Sequence, residues 1–176
     1  MSHYAFAQTF RTIYDKAAAL YASGKRGAET YFTPEETAWL SSNGLTAQYL
    51  YDYAEDQTNY GEPGYDNALG IEFIRRDYFL NVQHGQPTGQ ISDPETWPSK
   101  DSAINGIGWL PRILPKTRAK LQGELPSTLM YDCGGDRKFF KAHDINPVEF
   151  LNIVWRNLND DQPIVDWVVK RGAAKV

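Results

Sequence analysis

The only cysteine of the chain, Cys133, lies in a stretch from Leu129 to Phe140 whose residue types could do chemistry. It stands just ahead of an expected helix start, where a thiolate is favoured, and the two glycine amides that follow could bond an oxyanion. Asp136 and His84 are the candidate partners of a catalytic cysteine. The alternative is a small, buried and inert thiol beside a turn.

A nucleophilic cysteine also needs a base. His143 is the nearest histidine in sequence, but the intervening helix places it roughly 10 Å further along, at about 1.5 Å per residue. A local pair of Cys133 with His143 is therefore excluded. Only His84 or His3, brought in by the fold, could serve.

Three carboxylates form a second candidate site. Asp52, Glu55 and Asp56 stand at i, i+3 and i+4 on one predicted helix, so they share a face. Such a group can bind a metal ion or do acid–base work, and it can equally face water. A metal site would need a further ligand such as Glu62 or His84.

Basic residues provide the candidate ligand-binding groups. Arg75 and Arg76 interrupt a strongly apolar helix, where we expect partners among the carboxylates of the acidic helix, or else a clamp for a substrate carboxylate. Arg137 follows Asp136 in the cysteine stretch and is a further candidate.

A basic stripe forms the last candidate group. Arg112, Lys116 and Lys120 stand at i, i+4 and i+8 on one helix face. We expect this stripe to face solvent, with a bound phosphate or carboxylate as the alternative.

Composition excludes several classes of function. A net charge of −4 and a pI near 5.4 argue against nucleic acid and anionic membranes as partners. One cysteine and three histidines do not provide a zinc-ligand spacing, and neither a phosphate-binding loop nor a Gly-x-Ser-x-Gly elbow is present. No cofactor is evident. The start of the chain lacks the features of a signal peptide, and no window is apolar enough to span a membrane, so we expect a soluble cytoplasmic protein.

Apolar periodicity predicts an all-α, bundle-like fold of about seven or eight helices. The chain, with 176 residues, is long enough for one domain, 1–176, with possible sub-lobes 1–85 and 107–176. A long irregular loop at about 86–106, with Trp97 as a possible anchor, would join them. Pro115 should kink its helix or mark where that helix begins. Helices are predicted at 6–21, 47–58, 65–83, 136–142 and 163–171. Two further helices are predicted to start at Thr33 and at Asn146.

Several short motifs carry a resemblance to a known family. In the C-terminal part they are Trp109 with Leu-Pro-Arg, Lys116 to Leu121, Gly123 to Pro126, Gly135-Asp136, Phe139-Phe140, Asp144-Ile145, Asp160-Asp161 and Trp167. Together they resemble the bacterial family known as domain of unknown function 5069. Upstream, residues 51–56, 61–63 and 75–80 look like the N-terminal part of longer members. The resemblance implies a soluble bacterial protein and transfers no catalytic residue.

Two functions follow from these patterns. A ring-rich helical body with a long covering loop and small patches of both charges favours a small-molecule-binding or protein-interaction module. The alternative is an enzyme that uses Cys133, or a carboxylate or metal site at Asp52, Glu55 and Asp56, in a helical pocket. The partner would be a small molecule or a protein.

Overall fold

The computed structural model describes residues 3–173, with side chains from Tyr4 to Gly172, and this part of the chain is mainly helical. It contains eight α-helices, two short 3₁₀ helices and one two-stranded antiparallel hairpin. The predicted all-α fold with about seven or eight helices is confirmed. The His3 side chain, a suggested base, lies outside the described residues.

The chain divides into two compact units, Met1–Pro87 and Thr88–Val176. The first unit consists of α1 (His3–Ala22), a 3₁₀ helix at Ala28–Thr30, α2 (Pro34–Ser42), α3 (Ala47–Tyr60) and α4 (Tyr65–Asn81). Helix α1 packs against both α3 and α4.

The predicted apolar stripe of α1 forms much of the core of the first unit. Its buried members are Phe6, Phe10, Ile13, Tyr14, Ala17 and Tyr21, whereas Leu20 is partly exposed. Ring contacts join this stripe to the other helices, since Phe6 stacks on Trp39 with ring centroids 5.4 Å apart. Each such ring pair contributes about 0.5–1.5 kcal/mol beyond the burial of its surface.

The second unit begins with the irregular segment and continues with four helices. Its elements are a 3₁₀ helix at Pro94–Thr96, β1 (Ala103–Ile104), β2 (Ile107–Gly108), α5 (Leu110–Gln122), α6 (Gly134–His143), α7 (Pro147–Arg156) and α8 (Gln162–Ala173). Helix α5 packs against α7 and β1, and α6 packs against α8. The two-residue strands were not predicted, because they are too short to show a period of two.

The irregular segment is tied to α5 and to the chain that follows it. The guanidinium of Arg112 lies 5.7 Å from the Trp97 ring centroid and donates to the Pro98 carbonyl oxygen over 2.9 Å. The Ser92 N–H donates to the Glu124 carbonyl oxygen over 2.8 Å. Trp97 therefore anchors this segment within the second unit.

Local signals set several helix ends. Thr33 and Glu36 form a capping box at the start of α2, and the Asn146 side chain accepts from the Val148 N–H at the start of α7. Helix α5 begins at Leu110, so Pro115 lies inside it and does not mark its start. There it removes one backbone hydrogen bond from the helix.

Among the described helices, none combines the length and the apolar character that a membrane crossing requires.

Candidate active site around Cys133

Cys133 is the N-cap residue of α6, with extended backbone angles of −71° and 173°, and it is partly exposed. The first N–H groups of an α-helix have no acceptor within the helix. The Cys133 side chain makes no capping hydrogen bond to them. The amides of Gly134 and Gly135 are therefore available to a group that approaches the sulfur.

Helix α5 delivers a lysine to this sulfur. The Nζ atom of Lys116 lies 3.2 Å from Cys133 Sγ and 2.6 Å from Asp136 Oδ2. The Lys116 side chain is only 7% exposed and that of Asp136 is fully buried. The structure thus brings Lys116, which the sequence analysis placed in the basic stripe, together with Cys133 and Asp136. We call these three residues the Cys133 cluster.

Three donors hold the carboxylate of Asp136. Trp109 Nε1 donates to Oδ1 over 3.1 Å, while Lys116 Nζ and the Asp132 backbone N–H donate to Oδ2 over 2.6 and 2.9 Å. Both oxygens are engaged, so Asp136 is placed to orient Lys116 and is poorly placed to accept a proton.

Two of these donors come from residues with unusual backbone angles. Trp109 and Asp132 have φ values of 69° and 66°, in the left-handed region that residues other than glycine rarely occupy. Such a conformation costs of order 1–3 kcal/mol and persists only where the surrounding structure enforces it. Both residues with this backbone conformation donate to Asp136, the carboxylate that holds Lys116.

Gly135 allows the Trp109 ring to reach Asp136. A Cβ atom at position 135 would lie 2.8 Å from Cζ2 of the indole, which is closer than side chains tolerate. At Gly134 the nearest such atom, Nη2 of Arg137, is 3.8 Å away, an ordinary contact. The second glycine of the pair is thus required by packing, while the first is not.

The charge state of Lys116 follows from its surroundings. Burial opposes its charge, but the Asp136 carboxylate and the Cys133 sulfur outweigh burial and raise the pKa of Lys116. Lys116 is therefore an ammonium ion at neutral pH. Its three N–H donors can serve the carboxylate and the sulfur together.

The second unit buries both cationic side chains and carboxylates. Among the described residues, the buried cations are Lys116, Lys120 and Arg137, and the buried carboxylates are Asp132 and Asp136. The expectation that Lys116 and Lys120 face solvent is wrong, because both side chains are buried, and Lys116 is in contact with Cys133 and Asp136 at the start of α6.

The remaining predicted ligand-binding residues have structural contacts. Arg137 Nη1 donates to the Asp132 carbonyl oxygen over 2.5 Å, which fixes the turn before α6. Arg112 is engaged with the irregular segment, as described above. In the first unit Arg75 donates to Gln83 Oε1 over 2.8 Å, and Arg76 donates to Asn43 Oδ1 over 2.6 Å. Ion pairs of these arginines with the acidic helix stay a prediction.

The acidic group of α3 is partly exposed. Asp52 Oδ1 accepts from Gln48 over 2.6 Å and Glu55 Oε1 accepts from the Tyr21 hydroxyl over 2.8 Å. No group of three or more His, Cys, Asp and Glu side chains suited to a metal ion occurs among residues 4–172. A metal site at Asp52, Glu55 and Asp56 stays a prediction.

His84 belongs to the first unit, where it is exposed with φ of 54° at the end of α4. A catalytic role for it stays a prediction. The sequence reasoning missed Trp109 and Asp132 as parts of the site. Asp132 adjoins Cys133 in sequence, which was a usable signal, whereas its left-handed backbone is not visible in the sequence.

Comparison with known proteins gives a match for the C-terminal part of the chain. Residues 95–176 match the family model described as a domain of unknown function (DUF5069). The resemblance drawn from the C-terminal motifs is confirmed for this part, which covers most of the second unit and includes the whole Cys133 cluster. No curated protein and no solved structure matches the chain.

Proposed function

We propose that the domain at residues 95–176 carries a reactive thiol, with Cys133 as the nucleophile. The observation that supports this most directly is the 3.2 Å distance from Lys116 Nζ to Cys133 Sγ. A cation beside a cysteine, at the start of a helix, is the environment in which thiols react as thiolates. Cys133 is also partly exposed as a residue, which in this proposal lets a small electrophile approach its side chain.

Burial strengthens the effect of the lysine. Charges interact more strongly where water is excluded, and the side chain of Lys116 is only 7% exposed. In this proposal Lys116 has two anionic partners, the Asp136 carboxylate and the Cys133 thiolate.

Each residue has a distinct part in this proposal. Cys133 attacks the electrophile, and Lys116 stabilises the thiolate and can pass a proton to a leaving group. Asp136 is a positioning residue, because it touches Lys116 and has no free oxygen for the reacting atoms. The amides of Gly134 and Gly135 can stabilise a negative oxygen formed next to the sulfur.

Alkylation by iodoacetamide tests the proposal. The rate constant should be larger for the folded protein at neutral pH than for the same chain unfolded in urea, where Lys116 no longer contacts the sulfur. Lys116→Gln should lose this advantage, by about tenfold for one charge-assisted hydrogen bond. Lys138→Gln is the matched control, since Lys138 is an exposed lysine of α6.

The comparison of folded with unfolded protein does not depend on any variant. If folded Cys133 is alkylated no faster than the unfolded chain, the thiol is inert and the proposal is wrong. The same holds if Lys116→Gln remains folded by circular dichroism and reacts as fast as the unsubstituted protein.

A second proposal retains the sequence-based function, a small-molecule-binding or protein-interaction module. The observation in its favour is the same pair of α6 amides beside the buried ammonium of Lys116, which suits a small anion. Calorimetric titration with inorganic phosphate tests it. Heat of binding together with an unreactive Cys133 would favour this module over the thiol. Cytoplasmic location and bacterial origin are parts of either proposal.

A further inference from the structure

We infer that Asn105, in the turn between β1 and β2, is a site of spontaneous covalent modification. Its side-chain amide is lost as ammonia, and the residue becomes a mixture of aspartate and isoaspartate. This inference goes beyond the proposed function, because the reaction uses none of the residues of the Cys133 cluster and needs water as its only other reactant.

The chemistry follows from an asparagine that precedes a glycine. The glycine backbone nitrogen loses its proton and attacks Cγ of the asparagine, so an N–C bond forms. The bond from Cγ to the amide nitrogen breaks, and that nitrogen takes up the proton and leaves as ammonia. Water then opens the five-membered succinimide at either carbonyl carbon, and no electrons are gained or lost.

Two properties of such a pair make the reaction fast. The reacting nitrogen and Cγ belong to adjacent residues, so the attack is intramolecular. Glycine has no Cβ and allows the backbone angles that the ring requires. The sequence contains two Asn-Gly pairs, Asn43-Gly44 and Asn105-Gly106, and does not distinguish between them.

The structure holds Asn43 in place. The residue is only 1% exposed, its Nδ2 donates to the Trp39 carbonyl oxygen over 2.8 Å, and its Oδ1 accepts from Arg76 Nε over 2.6 Å. The attacking group is also engaged, since the Gly44 N–H donates to the Ser41 carbonyl oxygen over 3.0 Å. Asn43 can therefore cyclise only after these contacts break and water enters.

Asn105 and Gly106 have neither kind of protection, and both residues are exposed. Among the described residues, none forms a hydrogen bond with the Asn105 side chain or with the Gly106 N–H. A Cβ atom added at Gly106 would meet nothing within 4 Å apart from its chain neighbours. The nitrogen and the side-chain amide are therefore free to approach each other.

The turn itself opens at little cost. Asn105 and Gly106 have φ values of 51° and 78°, as in the two-residue hairpin turns that favour Asn-Gly. Only two residue pairs, Ala103 with Gly108 and Ile104 with Ile107, form the ladder behind it. So short a hairpin is marginally stable, and exposed turns open with a free energy near zero. The opening is confined to the turn, so β1 can keep its packing against α5.

The product changes the chain next to the Cys133 cluster. Isoaspartate adds one carbon to the main chain and a negative charge to the turn. Strand β2 leads directly into Trp109, whose indole N–H donates to Asp136. The modification thus changes the segment that positions one of the three donors to this carboxylate.

The test incubates the full chain at mildly alkaline pH, where the glycine nitrogen loses its proton more readily. One sample is folded and the other is unfolded in urea. Peptide mapping by mass spectrometry then follows the conversion of amide to carboxyl at each asparagine, with isoaspartate separated from aspartate by chromatography. Each Asn-Gly pair is compared with itself in the two samples, which removes the effect of local sequence.

In urea both pairs should react at similar rates. In the folded chain Asn105 should react more than about tenfold faster than Asn43, because buried segments open with a far larger free energy than exposed turns. Asn105→Gln should abolish the product at position 105, since glutamine would have to form a six-membered ring. The same change should leave Asn43 unreactive in the folded chain.

Three results would overturn the inference. The first is a folded chain in which Asn105 reacts no faster than Asn43. The second is protection of Asn105 by folding to the same extent as Asn43. The third is aspartate without isoaspartate at position 105, since direct hydrolysis of the amide gives only aspartate.

Discussion

Each unit of the protein buries charged side chains, and the two groups differ in what surrounds them. In the first unit Glu72, Arg75 and Arg76 lie within two turns of α4, and we call them the α4 cluster. In the second unit the Cys133 cluster draws its members from α5, from the turn before α6 and from α6 itself. The first is built from one helix and the second from a tertiary contact.

The neighbours of the α4 cluster include a tyrosine hydroxyl and an aromatic ring. The Tyr53 hydroxyl donates to Glu72 Oε1 over 2.7 Å, and the guanidinium of Arg76 lies 4.9 Å from the Phe6 ring centroid. Burial lowers the pKa of Arg76, and nearby Asp77 opposes this effect. Glu72 and Arg76 thus contact aromatic side chains of α3 and α1, which suits a structural role.

The Cys133 cluster differs because it ends at a partly exposed residue, Cys133. Its lysine is shared between a fully buried carboxylate and the thiol of that residue. Burial of charge alone therefore does not distinguish a reactive site from a structural one. The useful criterion is whether the charged group contacts an atom that is accessible and can react.

The largest expected effect comes from Asp136→Asn. This change leaves Lys116 buried without its carboxylate, and breaking a buried pair from one side costs about 3–5 kcal/mol in the free energy of unfolding. Urea denaturation measures it. Asp166→Asn, on the exposed side of α8, is the control and should change stability by less than about 0.5 kcal/mol. A loss below about 1 kcal/mol for Asp136→Asn would show that the pair is not needed to hold Lys116.

A smaller effect is expected from Tyr53→Phe in the α4 cluster. The ring stays, but Glu72 loses a buried donor, which should cost about 1–3 kcal/mol in the free energy of unfolding. Tyr60→Phe is the matched control because Tyr60 is 70% exposed. Tyr53→Phe should leave the alkylation rate of Cys133 unchanged. A change in that rate would contradict the separation between a structural and a reactive cluster.

The prediction with the smallest effect concerns the stability of the protein at alkaline pH. Burial raises the pKa of Tyr131, aided by Asp132 and Asp136, and the pKa of Lys116 is also raised, as described above. A raised pKa in the folded state gives stability that is complete below the unfolded value, about 10 for both groups, and is lost as pH rises further.

Ionisation of Tyr131 and Lys116 should therefore not change the urea midpoint of unfolding up to about pH 10. Above that pH the midpoint should fall. The absorbance of ionised tyrosine, recorded over the same pH series, should increase as the protein unfolds. Stability that increased above this pH would contradict the charge assigned to Lys116.

The helices could be predicted from the sequence because their signals are local. The capping box of Thr33 with Glu36 and the Asn146-Pro147 start depend on residues within four positions of each other. The apolar stripe of α1 is similarly repeated every three or four residues. The hairpin at 103–108 lacked such a signal, since two-residue strands cannot show alternation.

The candidate site could be predicted only in pieces. Cys133 and Asp136 were identified from their place before a helix, and Lys116 from a basic stripe. The burial of that stripe was missed, because the charge pattern of one helix does not show what covers it. Trp109 and Asp132 were missed because their role depends on left-handed backbone angles.

The sequence by itself determined the helical class of the protein, the starts of several helices and the single cysteine ahead of α6. These features depend on side-chain spacing along one segment, so they require no knowledge of the rest of the chain. Only the tertiary structure decided that Lys116, 17 residues before Cys133, would meet its sulfur. The physical reason is that a buried cation takes its partners from whichever elements enclose it, and the packing of α5 against the start of α6 supplies those partners here.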